Sequence, residues 1–426
     1  MKTDDFDHYL EHLAAALGHV DRIGPMKEYC TGLMLPVPRK SVEPLAAQLD
    51  PRHVSAKHQS LLHFVGQSDW SDEAMLNQVR AWVQPLMARE ASHWFWIVDD
   101  TGIPKKGNHS VGVGRQYCGQ TGKQDNCQVA VTLSLATESA SIPIAWRLYL
   151  PQAWCEDEQR RWEAGVPESI SFATKPQIAL EQIWDAKAAG VPLGTVVGDA
   201  GYGNECAYRE ELDAMELEYV VGIGPATTVW GPGSGPLPPK PYRGRGTRPA
   251  RLQRGPGHEP LSVKDLALAL PVKAWSEVTW REGTNAVLSS RFARLRVRPA
   301  HRDYLRSQPH PEAWLLMEWP KDKDEPVKYW LSNLSADVSM QELVSIAKMR
   351  WRIERDYEEL KQEFGLGHYE GRGWRGFHHH ASMCVAAYGF LLEQRLRKKK
   401  PAQRKTIALP EGFRRRGAGA GATPRP

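Results

Sequence analysis

The sequence predicts an α/β layered protein with a helical N-terminal region and a mostly β insertion. Three observations support this. Strand-like apolar segments alternate with helical segments between residues 89 and 224. Residues 1–88 show only helical spacing of their apolar positions. A stretch rich in Gly, Pro and Arg, followed by further strand-like segments, then interrupts the alternation before helices return.

The N-terminal region is predicted to be mainly helical. The segments SVEPLAAQLD and SDEAMLNQVRAWVQPLMARE have apolar residues three and four positions apart, and Ser71 is a suitable N-cap for the second segment. Several short helices here could form a helix-turn-helix-like module or a plain helical subdomain. The sequence contains no sharp motif that decides between them.

Residues 89–224 carry the alternating pattern. Three consecutive strands are predicted in WFWIVDD, CQVAVTLSLATES and SIPIAWRLYLP. A helix (KPQIALEQIWDAKAAGV), a short strand that ends at Asp199 (GTVVGDAGYG), a second helix (NECAYREELDAMEL) and a further strand (EYVVGIG) follow. Strands that alternate with helices indicate an α/β layer structure.

The C-terminal half divides into three regions. Residues 225–335 begin with a loop or mobile arm and continue with four strand-like pieces, SEVTWRE, RFARLRVRPA, AWLLMEWP and KYWLSNL. Residues 336–397 return to helical spacing. Residues 398–426 form a basic, low-complexity tail that is predicted to be disordered.

Charge distribution indicates a polyanionic partner. The net charge is only +5, but eleven Lys/Arg and a single Glu lie from Arg395 to the end, and six Lys/Arg without an acid lie between Tyr219 and His258. A mildly acidic body with two basic appendages suits a polyanion held by peripheral arms. The alternative is that these basic segments are simply solvated.

The cysteine spacing and the lack of long apolar runs argue against disulfide-rich, zinc-ribbon and membrane-spanning proteins. The six cysteines form no C-x-x-C pair, which argues against a zinc ribbon or a disulfide scaffold and suits a reducing cytosol. The start, MKTDDFDHYLEHL, lacks a signal-peptide pattern, and no run could span a membrane. We therefore expect a cytoplasmic protein without a membrane partner.

Acidic residues follow two predicted strands. Asp99 and Asp100 end one strand, and Asp199 ends another before a Gly-rich turn. In open α/β sheets ligands bind beyond the carboxyl ends of the strands, and carboxylates there can converge on a hard divalent cation. The alternative for either motif alone is an ordinary turn or helix-capping role.

A charged helix is predicted at MRWRIERDYEELKQEFGL. At about 100° per residue, Glu354 and Lys361 lie within roughly 20° of each other and Arg350 about 40° away, at the margin of the buried face. Taken alone, Arg350 and Glu354 could be a plain i,i+4 salt bridge. Together with the strand-end aspartates, a glutamate here could complete three carboxylates for two metal ions in phosphoryl transfer. Arg350 and Lys361 would hold phosphates.

At these residues the chain resembles bacterial insertion-sequence transposases of the DDE type. AKMRWRIERDYEELK is similar to the Y-x2-R-x3-E-x6-K signature of one branch, with Arg350, Glu354 and Lys361 at the R, E and K positions and Ala347 in place of the tyrosine. DDTGIPKKGNHSVGVGRQYCGQTGKQDNCQVAV resembles the region of the first catalytic aspartate. YWLSNLS and GLGHYEGRGWRGFHHH are also similar to this family.

The resemblance implies an RNase H-like mixed sheet flanked by helices, interrupted by the β-rich insertion. Residues 89–224 and 336–397 would then form the two parts of this core, and residues 1–88 a DNA-end-binding domain. The catalytic, metal-binding residues would be Asp100, Asp199 and Glu354, with Asp99 and Glu358 as rivals. Two Mg²⁺ ions are implied, and Mn²⁺ can substitute. The partners would be double-stranded DNA, as element ends and target, and a second copy of the chain or more, at the bacterial nucleoid.

The implied function is cleavage at the element ends and joining of the 3′-hydroxyls to target DNA. A DNA-binding protein that has lost cleavage, or a stand-alone metal-dependent nuclease on the same fold, are the alternatives.

Two further motifs concern DNA contact. Lys105, Lys106 and Arg115 lie among glycines in PKKGNHSVGVGR and could contact DNA phosphates, or the segment could be a flexible surface hairpin. Three consecutive histidines, His378 to His380, point in different directions on a helix, so a shared metal is not expected. For them we predict DNA contact or solvent exposure.

Overall fold

Five helices precede the sheet in the computed structural model, which describes residues 3–244, 246–282 and 287–398. They are α1 (Thr3–Ala14), α2 (Ile23–Met34), α3 (Val42–Leu49), α4 (Val54–Gly66) and α5 (Asp72–Ala88). Ser71 caps α5 as predicted, because its hydroxyl accepts a hydrogen bond from the Ala74 amide at 3.0 Å. Met75, Val79 and Val83 on one side of α5 are buried. The helical character predicted for this region is confirmed.

A mixed sheet follows. Four strands come first: β1 (Phe95–Pro104), β2 (Gly114–Cys118), β3 (Lys123–Ala136) and β4 (Ser141–Leu148). Three helices come next: α6 (Gln152–Cys155), α7 (Glu158–Glu163) and α8 (Lys175–Ala188). β5 (Thr195–Gly198), α9 (Ala200–Gly203), α10 (Cys206–Ala214) and β6 (Tyr219–Ile223) complete this part. β1, β5 and β6 are parallel, whereas β3 is antiparallel to β1 and to β4. The order β4–β3–β1–β5–β6 agrees with the predicted RNase H-like α/β fold.

The predicted insertion strands are confirmed, but they continue the core sheet. The elements are β7 (Thr228–Trp230), β8 (Leu261–Ser262), α11 (Val263–Leu268), β9 (Ser276–Glu282), β10 (Val287–Pro299), β11 (Ala313–Trp319) and β12 (Lys328–Ser332). β12 pairs with β6 of the core, and β11, β10 and β9 follow outward. Twelve strands are thus hydrogen-bonded into one sheet among the described residues. Between β7 and β8 the Gly/Pro/Arg-rich segment contains only isolated bridges in its described part, such as Leu237 with Gln253.

Three helices close the described chain: α12 (Met340–Ala347), α13 (Trp351–Gln362) and α14 (Trp374–Lys398). A turn separates α12 from α13, with hydrogen bonds between residues three apart, as from Arg352 N to Met349 O. Arg350 therefore stands at the N-cap of α13. The predicted disordered tail lies outside the described residues, except for Lys398. No helix within the described ranges is long and apolar enough to cross a membrane.

Helix α14 is the centre of the helical layer. Most of its residues from Trp374 to Glu393 are buried. α5, α2 and α4 pack against it, and the Tyr9 hydroxyl of α1 donates a 2.7 Å hydrogen bond to the carbonyl of Ala386. One hydrophobic core therefore includes both the N-terminal helices and the sheet. The DNA-end-binding role of residues 1–88 stays a prediction.

The exposure or DNA contact predicted for the three histidines is wrong. His378, His379 and His380 are each at most 5% exposed, because α14 is surrounded by other elements. Each ring bonds to different partners. His379 contacts the carbonyls of Val65 and Trp70, and His380 contacts the Tyr29 hydroxyl and the Gly365 carbonyl. The three side chains therefore fasten α14 to its neighbours.

Acid is expected to destabilise the fold through these rings. Burial lowers the pKa of His379 and of His380 to about 4. The unfolded chain then binds more protons between pH 6.5 and 4, so stability falls as the pH is lowered through this window, by roughly 3 kcal/mol per ring. Urea unfolding from pH 7 to 4 should show a flatter stability profile for His380→Gln and an unchanged one for His109→Gln, whose side chain is exposed. Equal profiles in both variants and wild type would contradict this explanation.

Candidate active site

Both acids of the first motif lie inside a strand rather than at its end. β1 pairs with β3 residue by residue up to Pro104. The predicted end at Asp100 is therefore wrong, because DTGIP continues the antiparallel ladder with β3. Since successive side chains of a strand point to opposite faces, Asp99 and Asp100 have different surroundings.

Asp99 points towards α13. It lies opposite Thr132 in β3, and the Thr132 hydroxyl hydrogen bonds with the Tyr357 hydroxyl on α13. Asp99 is 6% exposed. Asp100 points to the other face, where its Oδ2 accepts a 3.0 Å hydrogen bond from Nζ of Lys175, the first residue of α8. Asp99 thus faces the helix that carries Glu354.

Asp199 comes to the same edge of the sheet. β5 runs parallel to β1, and their last paired residues, Ile97 and Val197, lie two positions before Asp99 and Asp199. The two carboxylates are close enough for the charge of Asp199 to raise the pKa of Asp99. Asp199 is the N-cap of α9, and its Oδ1 accepts a 2.8 Å hydrogen bond from the Gly201 amide. The structure therefore brings these two predicted acids together.

Arg350 joins two carboxylates. Its Nη1 donates to Asp99 Oδ2 at 2.6 Å, and its Nη2 donates to Glu354 Oε1 at 2.5 Å. The ion pair expected from the i,i+4 spacing is therefore present, with a third partner that lies 251 residues earlier in the chain. Lys361 lies two helical turns after Glu354 on α13, and its Nζ donates a hydrogen bond to the carbonyl of Gly102 at 2.9 Å.

These residues line one open cavity of about 720 Å³, which we call the acidic cavity. Its charged lining residues are Asp99, Asp100, Asp199, Glu354, Glu358, Lys175, Arg350 and Lys361. Five carboxylates thus face three cations. Such an excess of oxygen ligands and negative charge fits the binding of a divalent cation.

Burial and charge together shift the pKa values of Asp99 and Arg350. Burial raises the pKa of Asp99, Arg350 lowers it and the charges of Asp199 and Asp100 raise it, and together these effects bring it to about 7. Burial lowers the pKa of Arg350, but the carboxylates of Asp99, Glu354 and Asp199 outweigh that effect and raise it. Near neutral pH the Asp99 carboxyl is therefore ionised only in part, although the Arg350 guanidinium lies beside it.

Several lining residues were not predicted. Lys175 is the first residue of α8 and follows the N-cap residue Thr174. A lysine at such a position does not indicate a functional site. Tyr202 was within reach of sequence analysis, because it follows Asp199 by three residues in the same turn. The residue lines the acidic cavity, and its buried hydroxyl has no hydrogen-bond partner among the described residues. A buried hydroxyl without a partner fits a cavity that holds a polar ligand.

The three cations predicted near the first motif do not line the acidic cavity. Lys106 and Arg115 are exposed and remain available to a partner. Lys105 is partly buried, donates from Nζ to the carbonyl of Tyr369 at 2.7 Å, and has its pKa lowered to about 8 by burial. Instead, Tyr117, Gly119 and Gln120 of the β2–β3 hairpin reach the cavity.

A buried ion pair positions the start of α13. Lys348 Nζ, in the turn before Arg350, binds both carboxylate oxygens of Glu318 on β11 at 2.7 and 2.6 Å. The ammonium also lies 4.4 Å from the ring centre of Trp280 on β9. The insertion strands therefore hold the turn that carries Arg350.

Breaking this pair should unfold the protein more easily. Lys348→Ala is expected to cost about 3 kcal/mol or more, because it leaves the Glu318 charge buried and unpaired. Urea denaturation would measure the loss. The double variant Lys348→Met/Glu318→Met removes both charges and should recover most of it. A double variant as unstable as the single one would contradict this account.

Comparisons with known proteins bear on the family of this chain. The family model described as "DDE superfamily endonuclease" matches residues 12–287, a range that includes Asp99, Asp100 and Asp199 and ends before Arg350 and Glu354. A probable transposase for insertion sequence element IS701 from Microchaete diplosiphon is 32% identical over 167 residues, which are 39% of this chain and 40% of that protein. The chain thus matches less than half of that relative's length.

The family model covers well over half of the chain. Together with the IS701 relative it confirms the predicted resemblance to insertion-sequence transposases of the DDE type. This chain belongs to the DDE superfamily endonucleases.

Proposed function

We propose that this chain is a DNA transposase that binds the ends of an insertion sequence, cleaves the phosphodiester bonds there and joins the 3′-hydroxyl ends to target DNA. The family and the similarity to a probable transposase support this proposal. The observation that carries it is the meeting of Asp99, Asp199 and Glu354 around Arg350 in the acidic cavity.

Endonucleases of this superfamily generally use divalent metal ions. For this chain we propose two Mg²⁺ ions, with Mn²⁺ as a substitute. Asp199 and Glu354 would bind them, and the orientation of Asp99 towards α13 favours it over Asp100 as the first aspartate. When bound, such ions activate a water or a 3′-hydroxyl and stabilise the leaving oxygen.

The chain's own cations would then hold DNA. Arg350 can bind a phosphate bidentately once its carboxylate partners bind metal instead, because its guanidinium presents a planar set of donors. Lys361 lies on the same helix face and is half-buried beside Gly102. Lys106 and Arg115 are exposed and would contact phosphates further from the scissile bond, and Lys105 would do so less readily.

Because two element ends must be joined to one target, the active form would be a dimer or a larger assembly on DNA. A nuclease acting alone would need neither two ends nor joining. Detection of joined products therefore separates transposition from simple hydrolysis.

The test is incubation of the purified protein with its own element's end DNA and a supercoiled target. With Mg²⁺ or Mn²⁺ we expect nicks at the element terminus and end-to-target joint molecules. With Ca²⁺ we expect only a mobility shift, and a scrambled end should give neither product. Binding without cleavage under every metal would leave a non-catalytic DNA-binding protein, and cleavage without joining would leave a nuclease.

A further inference from the structure

We propose that Cys206, Glu210 and His310 form a binding site for a transition-metal ion of the Zn²⁺ class, separate from the acidic cavity. One ligand atom from each side chain lies within 4.8 Å of the other two. A thiol, a carboxylate and an imidazole are the ligand types that Zn²⁺ takes in proteins.

The fold brings the three residues together from a helix of the core and a connection in the insertion. Cys206 and Glu210 are one helical turn apart on α10, so both side chains lie on the same side of that helix. His310 comes from the connection between β10 and β11 in the insertion. Tetrahedral binding to Zn²⁺ places ligand atoms roughly 3.5 Å apart. The present spacing of up to 4.8 Å must therefore shorten when an ion binds.

His310 is already oriented as a metal ligand. Its Nε2 lies 3.0 Å from the carbonyl of His301, a bond in which the ring nitrogen donates. Nδ1 then carries the lone pair, and it lies 3.8 Å from Glu210 Oε1, beyond hydrogen-bonding distance. The residue is 4% exposed, and burial lowers its pKa, which keeps the ring neutral. A metal-binding histidine usually donates its other nitrogen to such a carbonyl.

There is room for an ion and a fourth ligand. The three residues line a cavity of about 280 Å³ together with Asp213 and Asn333. Asp213, two helical turns after Cys206 on α10, accepts a 2.8 Å hydrogen bond from Asn333 Nδ2. Either its free oxygen or a water can complete four-fold coordination.

Binding exchanges one proton for the metal. Burial raises the pKa of the Cys206 thiol, while Arg209 lowers it. The metal-free thiol is therefore protonated near neutral pH. On binding, the S–H bond breaks, the proton goes to solvent and the thiolate forms the bond to the metal. Arg306 holds Glu210 Oε1 at 2.6 Å, so the metal must use the other oxygen or displace Arg306.

Such an ion would fasten α10 to the insertion. α10 begins seven residues after Asp199, and the β10–β11 connection belongs to the strands that reach the core sheet through β12. A metal there would couple the position of the insertion to the helix next to the acidic cavity.

The test is Co²⁺ titration of the full-length protein after chelator treatment and dialysis. A thiolate ligand gives a sulfur-to-cobalt charge-transfer band in the near ultraviolet, whereas carboxylates of the acidic cavity do not. We expect one equivalent of Co²⁺ per chain to produce this band, and added Zn²⁺ to displace the Co²⁺ and remove the band. Cys206→Ser should abolish the band. The matched control Cys155→Ser, another partly buried free cysteine, should keep it.

Two further variants make the result decisive. His310→Gln should weaken Co²⁺ binding about tenfold or more, with an unchanged far-UV circular dichroism spectrum as evidence of folding. Glu354→Gln should keep the band, so a failure of the transposase proposal would leave this result intact. Absence of the band in wild type, or a band that persists in Cys206→Ser, would overturn the proposal.

Discussion

Replacing Asp99 with asparagine is expected to slow metal-dependent cleavage of end DNA by about a thousandfold or more, whereas Asp100→Asn should slow it by less than about tenfold. Asp99 faces the helix that carries Glu354, accepts a hydrogen bond from Arg350 and lies close to Asp199. Asp100 points to the opposite face and pairs with Lys175, where both side chains are half-exposed. An amide in place of the Asp99 carboxylate removes the charge that a metal ion needs and keeps the shape.

Single-turnover cleavage with Mg²⁺ measures the effect, and a mobility shift with Ca²⁺ controls for end binding. Asp100→Asn is the matched control, because each variant changes one aspartate of β1 to its amide. If Asp100→Asn is the inactive variant and Asp99→Asn cleaves normally, the assignment returns to Asp100. Mn²⁺ affinity, measured by electron paramagnetic resonance, should fall in the same variant that loses cleavage.

The sequence predicts most strands of the sheet because apolar or alternating segments between turn residues mark them. β3, β5, β6 and the four larger insertion strands are examples. β2 was missed because GRQYC is short and alternates in exposure beside a glycine-rich turn. The join between β6 and β12 could not be predicted, since pairing between strands more than a hundred residues apart leaves no local pattern.

For the candidate site, sequence spacing identifies the acids but not their directions. Neighbouring Asp99 and Asp100 differ only in the face to which each points, and that depends on the register between β1 and β3. For the histidines of α14 the prediction of exposure was wrong for a different reason. Polar residues at a helix start are usually exposed, but here other elements surround the helix, and residues such as Leu148, Val65 and Gly365 supply a hydrogen-bond partner for each ring.

Glu354→Gln is expected to abolish detectable cleavage and joining, with a loss of about a thousandfold or more, while end binding persists. Arg350 donates hydrogen bonds to Asp99 and Glu354, and Glu354 is the exposed one of these two acids. Its side chain is 57% exposed. The substitution keeps the length of the side chain. The buried face of α13, with Ile353, Tyr357 and Leu360, is unaffected, so the variant should fold.

Glu358→Gln is the matched control, because Glu358 lies one turn later on α13 and also lines the acidic cavity. Its carboxylate accepts only from Gln362 Nε2, at 3.4 Å, and it has no contact with Arg350 among the described residues. We expect cleavage within about threefold of wild type in this control, since a surface charge away from the metal contributes little. Loss of cleavage in Glu358→Gln together with normal cleavage in Glu354→Gln would move the glutamate role by one turn. It would also leave Arg350 and Glu354 as the plain i,i+4 salt bridge that their spacing allows.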